Sequence, residues 1–189
     1  MEIKQYDVFP TKIIQVEVSD VITELDTSDM ILTIDDLIDN YPDSLSDSST
    51  IQTQSKTMMF DAEAPACFQK LKKTFLKACE IYLSSYDMEY LNTHCRGWFF
   101  KSNTGTNTPV SWHDHHPALL SGVFSIKSQG IGTSFKNPVG HSLDKAPIII
   151  EPKDCAWVIF PSALVHSNDT ITSSNSRYVI AADYFAAIT

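Results

Sequence analysis

The sequence predicts a mainly β protein of the α+β class: a double-stranded β-helix, which is a form of jelly roll, braced by one long helix in the N-terminal half. Two observations carry this prediction. One long stretch of helical periodicity precedes residue 90, and short apolar runs separated by turn residues follow residue 96. Short strands at such spacing are typical of antiparallel barrels and jelly rolls. A generic β-sandwich is the alternative.

The 189 residues are interpreted as a single domain, because a chain of this length can bury one core of ordinary size. Within it, an N-terminal strand and helices are expected over about 1–90. The β-helix core is expected over about 96–186.

The N-terminal half contains the helical signals. Alternation of apolar and polar residues predicts a strand within 6–18. Thr33-Ile34-Asp35-Asp36 resembles a capping box and predicts a short helix that ends at Asn40. Residues 43–57 are rich in Ser, Thr, Asp and Gln, so they are interpreted as a loop, either a plain connection or a cover over a site. Apolar side chains spaced by three and four predict an amphipathic helix over about 65–86, with the stripe Phe68, Leu71, Phe75, Cys79, Tyr82 and Tyr86.

The C-terminal half contains the strand signals. Turn clusters such as Asn103–Pro109 separate short apolar or aromatic runs. Strands are expected near Gly97–Phe100 and at about 110–115, 120–127, 131–136, 147–151, 155–160, 163–167 and 177–185.

Charge and composition exclude several classes of protein. A net charge of −9 disfavours direct binding to duplex nucleic acid, because neutralising phosphates requires clusters of Lys and Arg. No apolar run is long enough to span a membrane, and the N-terminus lacks the regions of a secretory signal. We therefore expect a cytoplasmic protein without a membrane partner.

The densest chemical signal is Ser111-Trp112-His113-Asp114-His115-His116-Pro117. Side chains at i and i+2 of a strand share a face, so either His113 and His115, or Asp114 and His116, would point inward. The usual non-haem iron site has two histidines and one carboxylate, and open positions for other ligands. His113 with His115 is the favoured pair, and it gives an all-histidine site with a third ligand from elsewhere. Asp114 with His116 is the alternative.

Two residues further along the chain extend this signal. His166 ends an apolar run, where a buried imidazole without a partner would be costly, so it is the expected third ligand. Arg177 lies in a strand-like apolar run, and a buried guanidinium needs an anionic partner. That partner is either an internal acid such as Asp183 or the carboxylate of a ligand.

Taken together, these motifs resemble the Fe(II)- and 2-oxoglutarate-dependent dioxygenases, most closely an uncharacterised branch from bacteria and marine phages. The resemblance covers most of the chain and rests on Phe9-Pro10-Thr11, His113-Asp114-His115 followed by Ser121-Gly122-Val123, then Phe160-Pro161-Ser162, His166 and Arg177. It implies a double-stranded β-helix, iron ligation by His113, His115 and His166, and binding of the distal carboxylate of 2-oxoglutarate by Arg177.

The chain departs from the family pattern at two places. The ligand carboxylate is missing from the second position, and Val179 stands where the family often has a serine after the arginine. Another hydroxyl must then assist Arg177, and Ser121, Ser125 and Tyr184 are the candidates.

The resemblance implies an enzyme, a hydroxylase that uses Fe(II), O2 and 2-oxoglutarate, releases succinate and oxidises a C–H bond. If the gene is carried by a phage, the enzyme would act in the host cytoplasm. The primary substrate is not encoded in any motif, and a protein side chain, a nucleotide or a small metabolite are all compatible with it. Two rival functions stay open: a cupin-like three-histidine metal protein that does not use 2-oxoglutarate, and a non-catalytic β-barrel binding module.

Overall fold

In a computed structural model, the chain forms two antiparallel β-sheets and two long helices, which confirms the mainly β prediction. The structure describes residues 11–40, 50–52, 58–86, 91–102, 111–138, 146–168 and 175–187. The larger sheet has the strand order β1-β7-β4-β9-β3-β2 and the smaller one β6-β5-β8. The strands are β1 Ile14–Glu17, β2 Thr50–Gln52, β3 Leu91–Ser102, β4 Leu120–Lys127, β5 Thr133–Phe135, β6 Ile148–Ile150, β7 Ala156–Pro161, β8 His166–Asn168 and β9 Arg177–Ala187.

The expectation of a single long helix is not confirmed, because the described residues form two: α1, Glu24–Asn40, and α2, Ala66–Ser84. The proposed start of α1 at Thr33 is also wrong. Thr33 lies inside the helix, where its hydroxyl donates to the Asp29 carbonyl oxygen at 2.8 Å. The capping box is instead formed by Thr23 and Asp26: the Thr23 N–H donates to Asp26 Oδ2 at 2.8 Å, and the Asp26 N–H donates to Thr23 Oγ1 at 3.2 Å. No helix in the described part of the chain is long and apolar enough to cross a membrane.

Most of the strands occur where the apolar runs predict them, but two segments differ. Residues 111–117 do not form a strand, and only His113 is paired there, in an isolated bridge with His166. Thr50–Gln52, expected to be loop, forms the edge strand β2 beside β3. The rest of the 43–57 segment, apart from this strand, lies outside the described residues, as do Phe9 and Pro10.

The outer face of the larger sheet carries the main hydrophobic core, packed under both helices. Phe75 of α2 lies against Trp157 of β7, with ring centroids 4.9 Å apart. The Phe75 side chain of α2 packs closely over Gly122 of β4, where an added Cβ would lie 2.8 Å from both Phe75 and Ile159. Only glycine therefore lets α2 sit directly on the sheet at this point.

The inner face of the larger sheet meets the smaller sheet. A second, smaller core lies there and contains Phe135, Val158, Phe160 and Leu164. Strand β9 shows the alternation between the two faces: its even-numbered residues 178–184 belong to the core under the helices, whereas Arg177, Val179 and Ala181 line an inner cavity.

Candidate metal centre

Three histidines converge between the two sheets. His113, His115 and His166 each offer a ring nitrogen, and these atoms all lie within 4.8 Å of one another. The His113 N–H donates to the His166 carbonyl oxygen at 3.1 Å, and the His166 N–H donates back at 2.9 Å. The His115 N–H donates to the Ser162 carbonyl oxygen at 2.8 Å. The backbone therefore fixes the relative positions of all three rings.

The hydrogen bonds at Nδ1 indicate which nitrogen of each ring could bind a metal. The Nδ1 atoms of His113 and His166 contact the carbonyl oxygens of Ser111 at 2.7 Å and Leu164 at 3.0 Å. His115 Nδ1 contacts Asp183 Oδ1 at 2.7 Å. Because these oxygens accept, each Nδ1 carries a proton, and Nε2 is the atom through which each ring in its neutral form could bind a metal. Three neutral imidazoles in this arrangement could hold a divalent transition metal.

His166 is the most deeply buried of the three, at 4% exposed. Burial lowers its pKa to about 3, although the bond to the Leu164 carbonyl acts in the opposite direction. Its imidazole is therefore neutral, and able to act as a ligand, throughout the physiological pH range.

Asp183 has different partners from the one that the sequence suggested. It was a possible partner for Arg177, but in the structure Asp183 Oδ2 pairs with the Arg96 guanidinium at 2.7 Å. Its Oδ1 accepts from the Ser121 hydroxyl at 2.8 Å as well as from His115. Burial raises the pKa of Asp183, but the bonds from His115, Ser121 and Arg96 outweigh it and leave the pKa below its usual range.

A cavity opens beside the three histidines, and Arg177 lies in its wall. Arg177 is 4% exposed, and its Nε has no hydrogen-bond partner among the described residues. Burial lowers its pKa to about 10, so the side chain still carries its positive charge near pH 7. The remaining wall residues are Phe100, Val123, Thr133, Ser167, Asn168, Val179 and Ala181.

This donor set fits a metal together with an anionic ligand. The three imidazoles supply nitrogen ligands without charge, and a buried cation with an unsatisfied donor faces the same cavity. A buried guanidinium of this kind requires an anion, and no described acid pairs with it.

The other residues proposed from the sequence lie outside this arrangement. Asp114 and His116 are exposed. Ser121 is engaged with Asp183 and does not line the cavity, whereas Ser125 lies on the cavity face of β4 beyond Val123. Tyr184 lies on the opposite face, in the core under the helices, so we do not include it in a ligand site.

Two hydroxyls were not found from the sequence. Thr133 of β5 lines the cavity. Ser102 of β3 stands directly across from Arg177 in the sheet register, and its buried Oγ has no partner among the described residues. Only the pairing of distant strands brings these hydroxyls near Arg177, so no local pattern could have identified them.

Solved structures similar to this chain include α-ketoglutarate-dependent enzymes and other oxygenases. A Pseudomonas putida prolyl-4-hydroxylase has a TM-score of 0.62 at 10% identity, with 94% of each chain covered. The epimerase SnoN, solved in complex with Fe3+ and α-ketoglutarate, has a TM-score of 0.64 at 8% identity, over 92% of this chain and 78% of its own. A rice dioxygenase for auxin oxidation has a TM-score of 0.65 at 11% identity, over 94% and 74%.

No protein-family model and no curated protein matches the sequence. At the identities of the solved structures, the likeness establishes the fold alone, which is a jelly roll. This agrees with the resemblance that the motifs indicate.

Proposed function

We propose that this protein is an Fe(II)- and 2-oxoglutarate-dependent dioxygenase of the hydroxylase type. The observation that carries the proposal is the buried Arg177, whose Nε has no hydrogen-bond partner among the described residues, in the wall of the cavity that the three histidines share. A metal centre alone would not need this cation, whereas a chelating ligand with a second carboxylate would.

His113, His115 and His166 would hold the metal through Nε2. Three imidazoles leave Fe(II) with one more positive charge than the usual set of two histidines and one carboxylate. The resulting centre favours an anionic chelator more strongly, since the protein ligands do not neutralise it. When bound, iron and 2-oxoglutarate supply the oxidising chemistry, with succinate and CO2 as products of the co-substrate.

The residues of the cavity would orient the co-substrate. Arg177 pairs with the distal carboxylate, and the hydroxyls of Thr133, which lines the same cavity, and of Ser102, which stands across from Arg177, are candidates to assist it. Val123, Val179 and Ala181 form an apolar wall that limits water around the metal.

One observation favours a second candidate, a cupin-like metal protein that does not use 2-oxoglutarate. No carboxylate is among the direct ligands that the described residues provide, and three-histidine sites also suit zinc and other divalent metals. This candidate gives no role to the charge of Arg177, so the two functions make different predictions for that residue.

The deciding experiment is anaerobic titration of the Fe(II)-loaded protein with 2-oxoglutarate, followed through the visible metal-to-ligand charge-transfer band. We expect a saturable band in the wild type and none in His113→Ala. Arg177→Met should weaken 2-oxoglutarate binding by about tenfold or more, since a charged hydrogen-bonded pair is lost. Lys127→Met, which removes an exposed cation from the end of β4, is the matched control and should bind like the wild type.

The other outcomes point to the rivals. Stoichiometric iron without a band would support the cupin-like protein. A protein that binds no metal would leave the non-catalytic binding module. A band that Arg177→Met does not change would contradict the role we give to the arginine.

A further inference from the structure

We propose that Asp183 supplies, through His115, the carboxylate that the metal centre lacks among its direct ligands, and that Arg96 and Ser121 hold it in position. Asp183 is thus a positioning residue that acts on the metal one hydrogen bond away. The inference rests on the metal-binding part of the proposed function and is independent of 2-oxoglutarate.

The first support is the way in which Asp183 is fixed. It is 0% exposed and uses both carboxylate oxygens, with Oδ1 between His115 and Ser121 and Oδ2 on Arg96. In the register of the larger sheet, Asp183 of β9 stands directly across from Arg96 of β3 and from Ser121 of β4. Three adjacent strands therefore set the direction of this carboxylate before any metal binds.

The second support is the difference among the three histidines. His113 and His166 present their Nδ1 protons to backbone carbonyls, whereas His115 presents its proton to the carboxylate of Asp183. A hydrogen bond to an ionised acceptor is shorter and stronger, and it makes the imidazole a better electron donor at Nε2. We therefore assign to His115 the strongest metal bond of the three.

Asp114, the acid closest to the histidines in the sequence, is in the wrong position to take this role. Asp114 lies between His113 and His115 in the sequence, but its side chain is exposed and accepts the backbone N–H of His116 at 3.3 Å. The carboxylate closest in sequence is thus turned to solvent, whereas the one that reaches a ligand ring comes from β9.

An ion pair with Arg96 alone would not require Asp183 to be completely buried. Arg96 keeps part of its side chain in solvent, at 28% exposed, and could be satisfied by an acid at the surface. Burying a carboxylate completely is costly unless several donors compensate it. Here three donors compensate Asp183, and one of them is a ring of the metal centre.

The test compares two isosteric substitutions, Asp183→Asn and Asp114→Asn, in the full chain. Binding of Co(II) and Zn(II) is measured by competition with a chelator of known affinity. We expect Asp183→Asn to weaken binding by about 10- to 100-fold, which is the usual effect of losing the partner of a ligand histidine. Asp114→Asn should bind within about twofold of the wild type.

A spectroscopic signature separates positioning from a general loss of structure. In the Co(II) protein, proton NMR should show three exchangeable, hyperfine-shifted N–H signals, one for each Nδ1. Asp183→Asn should displace the His115 signal and leave the other two in place.

Asp183→Asn also removes the ion pair with Arg96, so a second variant separates the loss of positioning from a loss of stability. Ser121→Ala keeps both charges, removes one of the three donors to the carboxylate, and should shift the same His115 signal with a few-fold loss of affinity.

The proposal is overturned if both asparagine variants bind like the wild type, if Asp114→Asn alone loses the metal, or if Ser121→Ala leaves the His115 signal unmoved. A wild-type protein that binds neither Co(II) nor Zn(II) overturns the metal centre itself, and this proposal with it. Metal binding without a 2-oxoglutarate band overturns only the proposed enzymatic function.

Discussion

At the scale of single residues, His166 should make the stability of the metal-free protein depend on pH. Its pKa is about 3 in the folded chain, against an ordinary value of 6.5. Between these values the unfolded chain binds a proton that the folded chain does not, so stability falls as the pH decreases below about 6.5. A single such proton gives a slope of up to about 1.4 kcal/mol per pH unit.

The measurement is urea unfolding of the metal-free protein between pH 7 and pH 4.5. His166→Gln should flatten the slope, because the variant has no group at this position to protonate. His116→Gln, at an exposed position, is the matched control. Equal slopes for wild type and His166→Gln would show that the ring is protonated in the folded state.

The same residues show how far the sequence could define the site. The spacing of His113 and His115, and the apolar run before His166, favoured the three histidines that the structure brings together, although the strand assumed for 111–115 does not form. Alternation on β9 could also have excluded Tyr184, since it differs in parity from Arg177. The role of Asp183 could not be predicted from the sequence. Its bond to His115 joins residues 68 positions apart, and only the strand register brings them together.

At the scale of elements, Thr23 should be the residue that sets the start of α1. Its side chain and that of Asp26 satisfy each other's N–H groups at the first turn. Thr23→Ala should lower the free energy of unfolding by about 1 kcal/mol, the usual cost of losing an N-cap. Chemical denaturation followed by circular dichroism measures this loss.

Thr33→Ala is the matched control, since Thr33 lies within the same helix and its hydroxyl only bonds back to Asp29. Alanine has the higher helix propensity, so this variant should be as stable as the wild type or slightly more stable. The reverse ranking of the two variants would place the helix start at Thr33, where the sequence first predicted it.

The two helix starts also show why the sequence misplaced the boundary. Both segments have a Thr followed three residues later by Asp, so the motif alone cannot distinguish them. Met30 and Ile34 decide between them: they are fully buried on one face of α1, four residues apart, and the helix must extend across both. The strand predicted over 110–115 is also absent from the described residues 111–115, for a reason that the local sequence does not show. The backbone groups of His113 and His115 bond to His166 and Ser162, which lie far along the chain.

At the scale of the whole molecule, the three histidines join parts of the chain that no single element connects. His113 and His115 precede β4, and His166 lies in the smaller sheet. His115 is also tied to the larger sheet through Asp183. A metal bound by all three would cross-link the two sheets at the point where they face each other. Because the unfolded chain does not hold the rings together, binding should stabilise the folded state by mass action.

We therefore expect the melting temperature to rise with the concentration of Co(II) or Zn(II), with a gain of about 2.7 kcal/mol in the free energy of unfolding when free metal is 100-fold above its Kd. His113→Ala and His166→Ala should each abolish the gain, since two remaining imidazoles bind far more weakly than three. His116→Ala should keep it, because this exposed ring is not one of the three. If His116→Ala loses the gain and His113→Ala keeps it, the metal is bound by the other face of the segment, through Asp114 and His116.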